Sequence, residues 1–123
     1  MRGRDFLTVA AFLNDLDSEA SLRTQTGRLY YAAYLEARWW CEQYLEYART
    51  RSSSEHTDVP QLLRGLDPEL ANNLRFLRQF RNAADYDLEL SLETVALQLG
   101  DAQLRTESII ARLDDLATTE TDS

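Results

Sequence analysis

Apolar residues in the first half of the chain recur about every three to four positions, which is the spacing of one helix face. A short amphipathic helix is predicted at the N-terminus from the apolar residues Phe6, Val9, Ala10, Leu13 and Leu16. A second, long helix is predicted from about Glu19 to about Ala48, and Asp17 or Ser18 can cap its start. Aromatic residues lie on more than one side of this helix. It must therefore be covered on more than one side, by other helices of the chain or by a second subunit.

The middle of the chain is predicted to contain a loop and then a strong helix start. Residues 48–60 are polar, include three consecutive serines and end in proline, which indicates a loop that is mobile from Ser52 to Thr57. A short helical turn can follow from Val59 to Leu66. Asp67 is a cap residue directly before Pro68, and this order is typical of the first turn of a helix.

The last part of the chain continues the helical pattern. A third helix is predicted after Pro68, and Ser91 can cap a fourth helix in which Gly100 marks a kink or a break. Residues 118–123 are polar and are predicted to form a disordered tail. No strand-like alternation occurs. We therefore predict an all-α fold, an antiparallel four- to five-helix bundle, as a single domain over residues 1–117.

Composition and charge narrow the function classes. The chain has 123 residues, 44% of them hydrophobic, and a formal net charge of -8. An acidic surface repels phosphate at long range, so non-specific binding along nucleic acid is not expected. Binding of phosphate in a local basic groove stays an alternative. A single histidine and a single cysteine cannot build a zinc site, so we predict no metal and no cofactor. The chain contains neither a signal peptide nor an apolar stretch of membrane-spanning length, which predicts a cytoplasmic protein without membrane contact.

The most informative segment is FRNAADYDLEL, which carries Arg81, Asn82, Asp85 and Tyr86. On a helix, Arg81 and Asp85 share a face, and the simplest interpretation is an intrahelical ion pair. The dense set of neighbouring polar groups favours a functional interpretation instead, in which these side chains form one site.

Two further segments carry candidate chemistry. Arg28, Tyr30 and Tyr31 lie in the long helix, where the rings are interpreted as core or interface packing or as partners of a polar site. His56 is the sole histidine and is predicted to lie in the loop. It is interpreted as a solvated residue or, if its loop folds over the site, as a base, since its usual pKa lies near neutral.

Taken together and in this order, the three segments resemble the HEPN superfamily, and in particular its small stand-alone prokaryotic branch. The matching stretches are Arg28 followed by Tyr30-Tyr31-Ala32, the segment that begins at His56, and Arg81-Asn82-Ala83-Ala84-Asp85-Tyr86. The resemblance covers roughly residues 28–87. It implies a helical bundle that pairs about a two-fold axis. Many such proteins are metal-independent ribonucleases of toxin–antitoxin, CRISPR and anti-phage systems, and small HEPN toxins are often encoded beside a minimal nucleotidyltransferase.

The sequence departs from the family pattern at the residue that transfers protons. The family site is an arginine followed a few residues later by a histidine at the dimer cleft, and here Tyr86 holds the place of that histidine. A phenol with a usual pKa of about 10 is a weaker base at neutral pH than an imidazole with a usual pKa of about 6.5. Proton transfer would then fall to Tyr86 as a donor or to His56 as a base.

Three functional hypotheses follow. The first is a toxin–antitoxin or defence component with weak or vestigial metal-independent endoribonuclease activity. The second is a non-catalytic module that binds nucleotide or RNA and partners a minimal nucleotidyltransferase. The third is a helical homodimer whose polar motif only fixes subunit register. The predicted catalytic residues are Arg81, Asn82, Asp85, Tyr86 and His56. The predicted binding or supporting residues are Arg28, Tyr30, Tyr31 and Arg78.

Overall fold

The computed structural model describes residues 1–16 and 18–122, and in these residues every regular element is helical. A short 3₁₀ turn, Gly3–Asp5, leads into the first of five α-helices. The helices are α1 (Phe6–Leu13), α2 (Glu19–Tyr44), α3 (Glu55–Arg64), α4 (Pro68–Tyr86) and α5 (Leu92–Asp122). The predicted all-α bundle is confirmed. Among the described helices, none combines the length and the hydropathy that a membrane span needs.

Three of the helices begin at the cap residues that the sequence indicates. The Ser18 side chain accepts a hydrogen bond from the Ser21 amide at the start of α2. Asp67 does the same for the amide of Leu70 in α4. The Ser91 hydroxyl accepts from an amide in the first turn of α5 at 3.1 Å. These side chains satisfy amides that the helix leaves without a partner. The alternative cap, Asp17, lies outside the described residues.

Helix α2 is the centre of the bundle and packs against each of the other four helices. Its residues Tyr30, Tyr34, Trp40 and Cys41 are all at most 3% exposed. On another side, the Arg2 guanidinium lies 4.0 Å from the ring centre of Trp39. The chain itself therefore covers more than one side of α2, and these aromatic residues do not require a second subunit.

The N-terminal 3₁₀ turn is held tightly on α2. A Cβ atom at Gly3 would lie 2.7 Å from the carbonyl oxygen of Ala32 and 2.8 Å from the amide of Glu36. Glu36 is only 2% exposed and accepts side-chain hydrogen bonds from both Arg2 and Arg4. A glycine at position 3 thus allows the close approach that lets these two arginines reach the buried carboxylate.

The predicted loop is shorter than expected, and its last residues are helical. Helix α2 ends at Tyr44 rather than near Ala48, and α3 already begins at Glu55. The prediction of a loop at His56 is therefore wrong. Pro60 lies inside α3 and is buried with Val59, so packing against the bundle offsets the hydrogen bond that proline cannot donate.

Helix α5 is longer and more regular than the sequence indicated. Gly100 lies within it without a break, and the predicted disordered tail is wrong over residues 118–122, which continue the helix. The hydroxyls of Thr118 and Thr119 donate to the carbonyl oxygens of Asp114 and Asp115, one turn earlier. No proline interrupts this polar stretch, so the helix extends through it.

Candidate functional site

Arg81 is the centre of a polar cluster on α4. Its Nε lies 3.0 Å from a carboxylate oxygen of Asp85, and its Nη1 donates to the side-chain oxygen of Asn82 at 3.0 Å. Its Nη2 donates to the Tyr31 hydroxyl on α2 at 3.2 Å. Because the intrahelical pair and the contact to α2 use different edges of the guanidinium, the head group is fixed in one orientation.

Tyr86 and Arg28 lie beside this cluster but are not hydrogen-bonded to it. The Tyr86 ring is 74% exposed, and its centre lies 6.0 Å from the Arg81 guanidinium carbon. The Arg28 guanidinium lies over the rings of Tyr31 and Phe6, at 5.4 and 5.5 Å from their centres. Arg28 therefore packs against aromatic faces in a cation–π arrangement, while Tyr86 is open to solvent.

His56 lies against the two tyrosines of α2 that the Arg81 cluster does not use. The Tyr30 hydroxyl is 2.5 Å from His56 Nδ1, and the Tyr34 ring stacks on the imidazole with ring centres 4.4 Å apart. Burial lowers the pKa of His56, and the positive charges of Arg78 and Arg81 lower it further. His56 is therefore a neutral imidazole near pH 7. Burial also raises the pKa of Tyr30 far above its usual value, so its phenol keeps its proton.

A groove of about 530 Å³ runs between α3 and α4 and includes His56 in its wall. We call it the α3–α4 groove. Its lining residues are His56, Thr57, Pro60, Gln61, Arg64, Leu74, Arg75, Arg78, Gln79 and Asn82. The lining contains three arginines and a histidine, but no aspartate or glutamate. Uncharged amides from both helices also line it: Gln61 on α3, and Gln79 and Asn82 on α4.

The arginines of the groove differ from most others in the chain. Of the thirteen arginines, eight lie within 4.0 Å of a carboxylate among the described residues, which leaves five that do not. The five are Arg28, Arg51, Arg64, Arg75 and Arg78. Three of them line the α3–α4 groove, so it is a basic site in a protein with a net charge of -8.

Part of this groove is formed by residues predicted from the sequence, namely His56, Arg78 and Asn82. Arg64 and Arg75 also line it and are not among the predicted site residues. The spacing of Arg75, Arg78 and Asn82 along α4 was an available signal, because residues at i, i+3 and i+7 share one helix face. No local sequence pattern could show that Arg64, at the end of α3, faces the same groove as these residues of α4.

The chemistry of the groove suits an anion with several acceptor oxygens. Guanidinium and amide groups donate several hydrogen bonds, and a guanidinium can grip phosphate in bidentate fashion. Among the side chains that the structure describes, no three His, Cys, Asp or Glu are grouped as ligands for a metal ion. The side chains that line the groove present positive charge and hydrogen-bond donors.

Comparison with known proteins finds one related sequence and assigns no family. An uncharacterised protein of the archaeon Methanocaldococcus jannaschii is 32% identical over an alignment 104 positions long, and the alignment covers 69% of this chain. The chain spans 63% of the length of that relative. Neither a family model nor a solved structure matches the chain.

Proposed function

We propose that this chain is a HEPN-type helical module that binds the phosphates of RNA in the α3–α4 groove. The observation that carries the proposal is that Arg64, Arg75 and Arg78 line one groove without a carboxylate partner among the described residues. Like charges brought together repel, so such a group is stabilised by an anionic ligand. The planar guanidinium of arginine matches the geometry of phosphate and can bind it in bidentate fashion.

The shape of the groove favours a strand of RNA over a single phosphate. The lining residues Arg75 to Asn82 extend along α4 by about 10 Å, at 1.5 Å per residue. This length exceeds one phosphate group. Gln61, Gln79 and Asn82 add amides that can both donate and accept, as contacts to unpaired base edges require.

The binding test is fluorescence anisotropy with a single-stranded oligoribonucleotide in EDTA over a series of salt concentrations. We expect binding that weakens as salt increases, since phosphate contacts release counterions. Arg78→Ala should weaken binding about tenfold and reduce the salt dependence, because hydrogen bonds to charged groups contribute about 1.5–3 kcal/mol.

The matched control for that variant is Arg49→Ala. Arg49 pairs with Glu42, outside the α3–α4 groove, and the two variants change the net charge equally. Arg49→Ala should keep the wild-type affinity. Equal loss in both variants would mean that only the overall charge matters, and no binding by the wild type would refute the proposal.

A second candidate function is slow, metal-independent RNA cleavage. The observation that favours it is the neutral imidazole of His56 in the groove wall, with Arg81 near enough to affect its pKa. Cleavage by a neighbouring 2′-hydroxyl needs proton transfer and positive charge on the phosphate. Arg81→Ala should lower any cleavage by about 100- to 1000-fold.

Further variants separate cleavage from binding alone. Tyr86→His should increase cleavage if the site is a weakened nuclease, and His56→Ala should abolish it if His56 transfers the proton. An RNA substrate that stays intact with the wild type and with Tyr86→His, while still bound, would exclude the nuclease function and leave the binding function standing.

The partners that the HEPN resemblance implies, a second copy and a minimal nucleotidyltransferase, are part of the proposal. Exposed apolar side chains support the homodimer: Phe76, Leu97 and Leu104 on α4 and α5 are 43%, 69% and 68% exposed. Light scattering should give a dimer mass, and Leu97→Asp should reduce it. A monomer at micromolar concentration would contradict the dimer. Copurification with the product of a neighbouring gene tests the nucleotidyltransferase.

A further inference from the structure

We infer that Tyr30 holds His56 in the tautomer that carries its proton on Nε2, so that His56 donates a hydrogen bond to phosphate in the α3–α4 groove. This inference rests on the proposed RNA-binding function for the identity of the acceptor. It assigns Tyr30 as a positioning residue and makes His56 a binding group in its resting form, rather than a base.

The first step is the direction of the hydrogen bond between Tyr30 and His56. Tyr30 is 2% exposed, and in the part of the chain that the structure describes its hydroxyl has one hydrogen-bond partner, His56 Nδ1. A buried hydroxyl proton needs an acceptor. The phenol therefore donates and Nδ1 accepts. In a neutral imidazole whose Nδ1 accepts, the proton is on Nε2.

The second step is the charge of the imidazole. A doubly protonated ring would direct an N–H from Nδ1 at the phenol oxygen and leave the phenol proton without this acceptor. Burial opposes that form, as do the positive charges of Arg78 and Arg81 on α4 and Arg38 on α2, while the negative charge of Glu55 favours it. The neutral form, with one donor and one acceptor nitrogen, agrees with both the hydrogen bond from Tyr30 and the charges around the imidazole.

The third step is the orientation of the ring. The imidazole is stacked on Tyr34, with an angle of 22° between the rings. A flip of the ring would replace Nδ1 by a carbon and break the hydrogen bond to Tyr30. The edge with Nε2–H is therefore the one without a hydrogen-bond partner among the described residues, and His56 lines the groove together with Arg78. Both groups donate, as an acceptor-only phosphate requires.

The same arrangement explains why cleavage should be slow. A general base at this position needs a lone pair on Nε2, and that lone pair exists only when the proton moves to Nδ1. The Tyr30 phenol then loses its acceptor. Binding and base catalysis thus compete for one imidazole, and Tyr30 favours binding.

The first experiment is long-range ¹H–¹⁵N NMR of the imidazole above its pKa, without ligand. The sequence has one histidine, so the signals need no assignment. We expect the Nε2–H tautomer in the wild type. Tyr30→Phe should shift the Nδ1 signal towards the position of a free lone pair. Tyr34→Phe is the matched control, because its hydroxyl bonds Glu55 and not His56; it should leave Nδ1 unchanged. An Nδ1–H tautomer, or an Nδ1 signal that Tyr30→Phe does not move, would overturn the inference.

The second experiment measures binding of a 2′-O-methylated oligoribonucleotide, which cannot be cleaved by its own 2′-oxygen. The amide nitrogen of His56→Gln lies near the position of Nε2, and that of His56→Asn near Nδ1. We expect His56→Gln to stay within about twofold of the wild type and His56→Asn to lose about tenfold. Equal affinities would show that Nε2–H is not a ligand. Failure of the wild type to bind would instead refute the proposed function, while the NMR result would still decide the role of Tyr30.

Discussion

Two arginine clusters in this molecule have opposite surroundings. At the N-terminus, Arg2 and Arg4 each lie 2.7 Å from the carboxylate of Glu36, which is 2% exposed. In the α3–α4 groove, Arg75 and Arg78 lie with Arg64 and have no carboxylate within 4.0 Å among the described residues. The arginines of the first cluster are paired with a carboxylate inside the fold, and those of the second cluster have no such partner among the described residues.

The difference separates structural from functional charge. A buried carboxylate with two guanidinium partners fixes the N-terminal segment on α2, and removing it should affect stability. Positive side chains gathered without an acid cost electrostatic free energy, which a bound anion would offset. Under the proposed function, changes there should affect binding and the titration of neighbouring groups.

The largest expected effect is loss of stability in Glu36→Gln. The variant leaves Arg2 and Arg4 without their buried anion, and we expect the free energy of unfolding to fall by about 3 kcal/mol. This is the lower end for a broken buried pair, because both arginines are partly exposed and regain water. Chemical denaturation measures it. Asp114→Asn removes the other partner of Arg4 at an exposed position and should cost less than about 1 kcal/mol. Equal costs would mean that burial of Glu36 is irrelevant.

An effect of intermediate size is expected in the titration of His56. Arg78 is the charged group that most lowers the pKa of His56. Arg78→Gln removes that charge, so the imidazole should protonate more readily and its pKa should move up towards the usual value of about 6.5. An NMR titration of the single histidine measures this. Arg49→Gln, outside the groove, should leave the pKa unchanged. If the pKa of His56 does not respond to Arg78→Gln, the charge of Arg78 does not act on the imidazole and the prediction is wrong.

The smallest effect is the pH dependence of stability. His56, beside the groove arginines, and Glu36, the partner of Arg2 and Arg4, contribute to it over different pH ranges. The folded pKa of His56 lies below the unfolded value, so at pH below about 6.5 the unfolded chain binds more protons and stability falls as pH falls. The folded pKa of Glu36 is also lowered, so its contribution is present at pH above about 4.5 and is lost as pH falls through the folded value. Denaturation at a series of pH values should show both ranges. His56→Gln should flatten only the upper one; a slope unchanged in that variant would contradict the assignment.

The helices were largely predictable from local chemistry, and the site only in part. Ser18, Asp67 and Ser91 begin helices because their side chains cap amides a few residues away, which the sequence alone reveals. The ion pair of Arg81 and Asp85 follows from helical spacing in the same way.

What could not be predicted depends on contacts between distant residues. The serines and Pro60 around His56 predict a loop, whereas packing of α3 against the bundle makes the segment helical. The hydrogen bond from Tyr30 to His56 joins residues 26 positions apart. Whether an arginine such as Arg75 has a carboxylate partner is likewise a property of the folded surface and not of the sequence near it.

The buried thiol of Cys41 makes the chain a reporter of its own opening. It is the single cysteine, it has no exposed surface, and burial raises its pKa to about 12. A thiol reagent can therefore react only after α2 separates from its neighbours, and the labelling rate counts those events without an introduced probe. Any ligand that binds the closed form lowers the labelling rate of Cys41, because it reduces the population of the open form by mass action. Occupancy of the α3–α4 groove could thus be followed by mass spectrometry, in unmodified protein and with an unlabelled ligand.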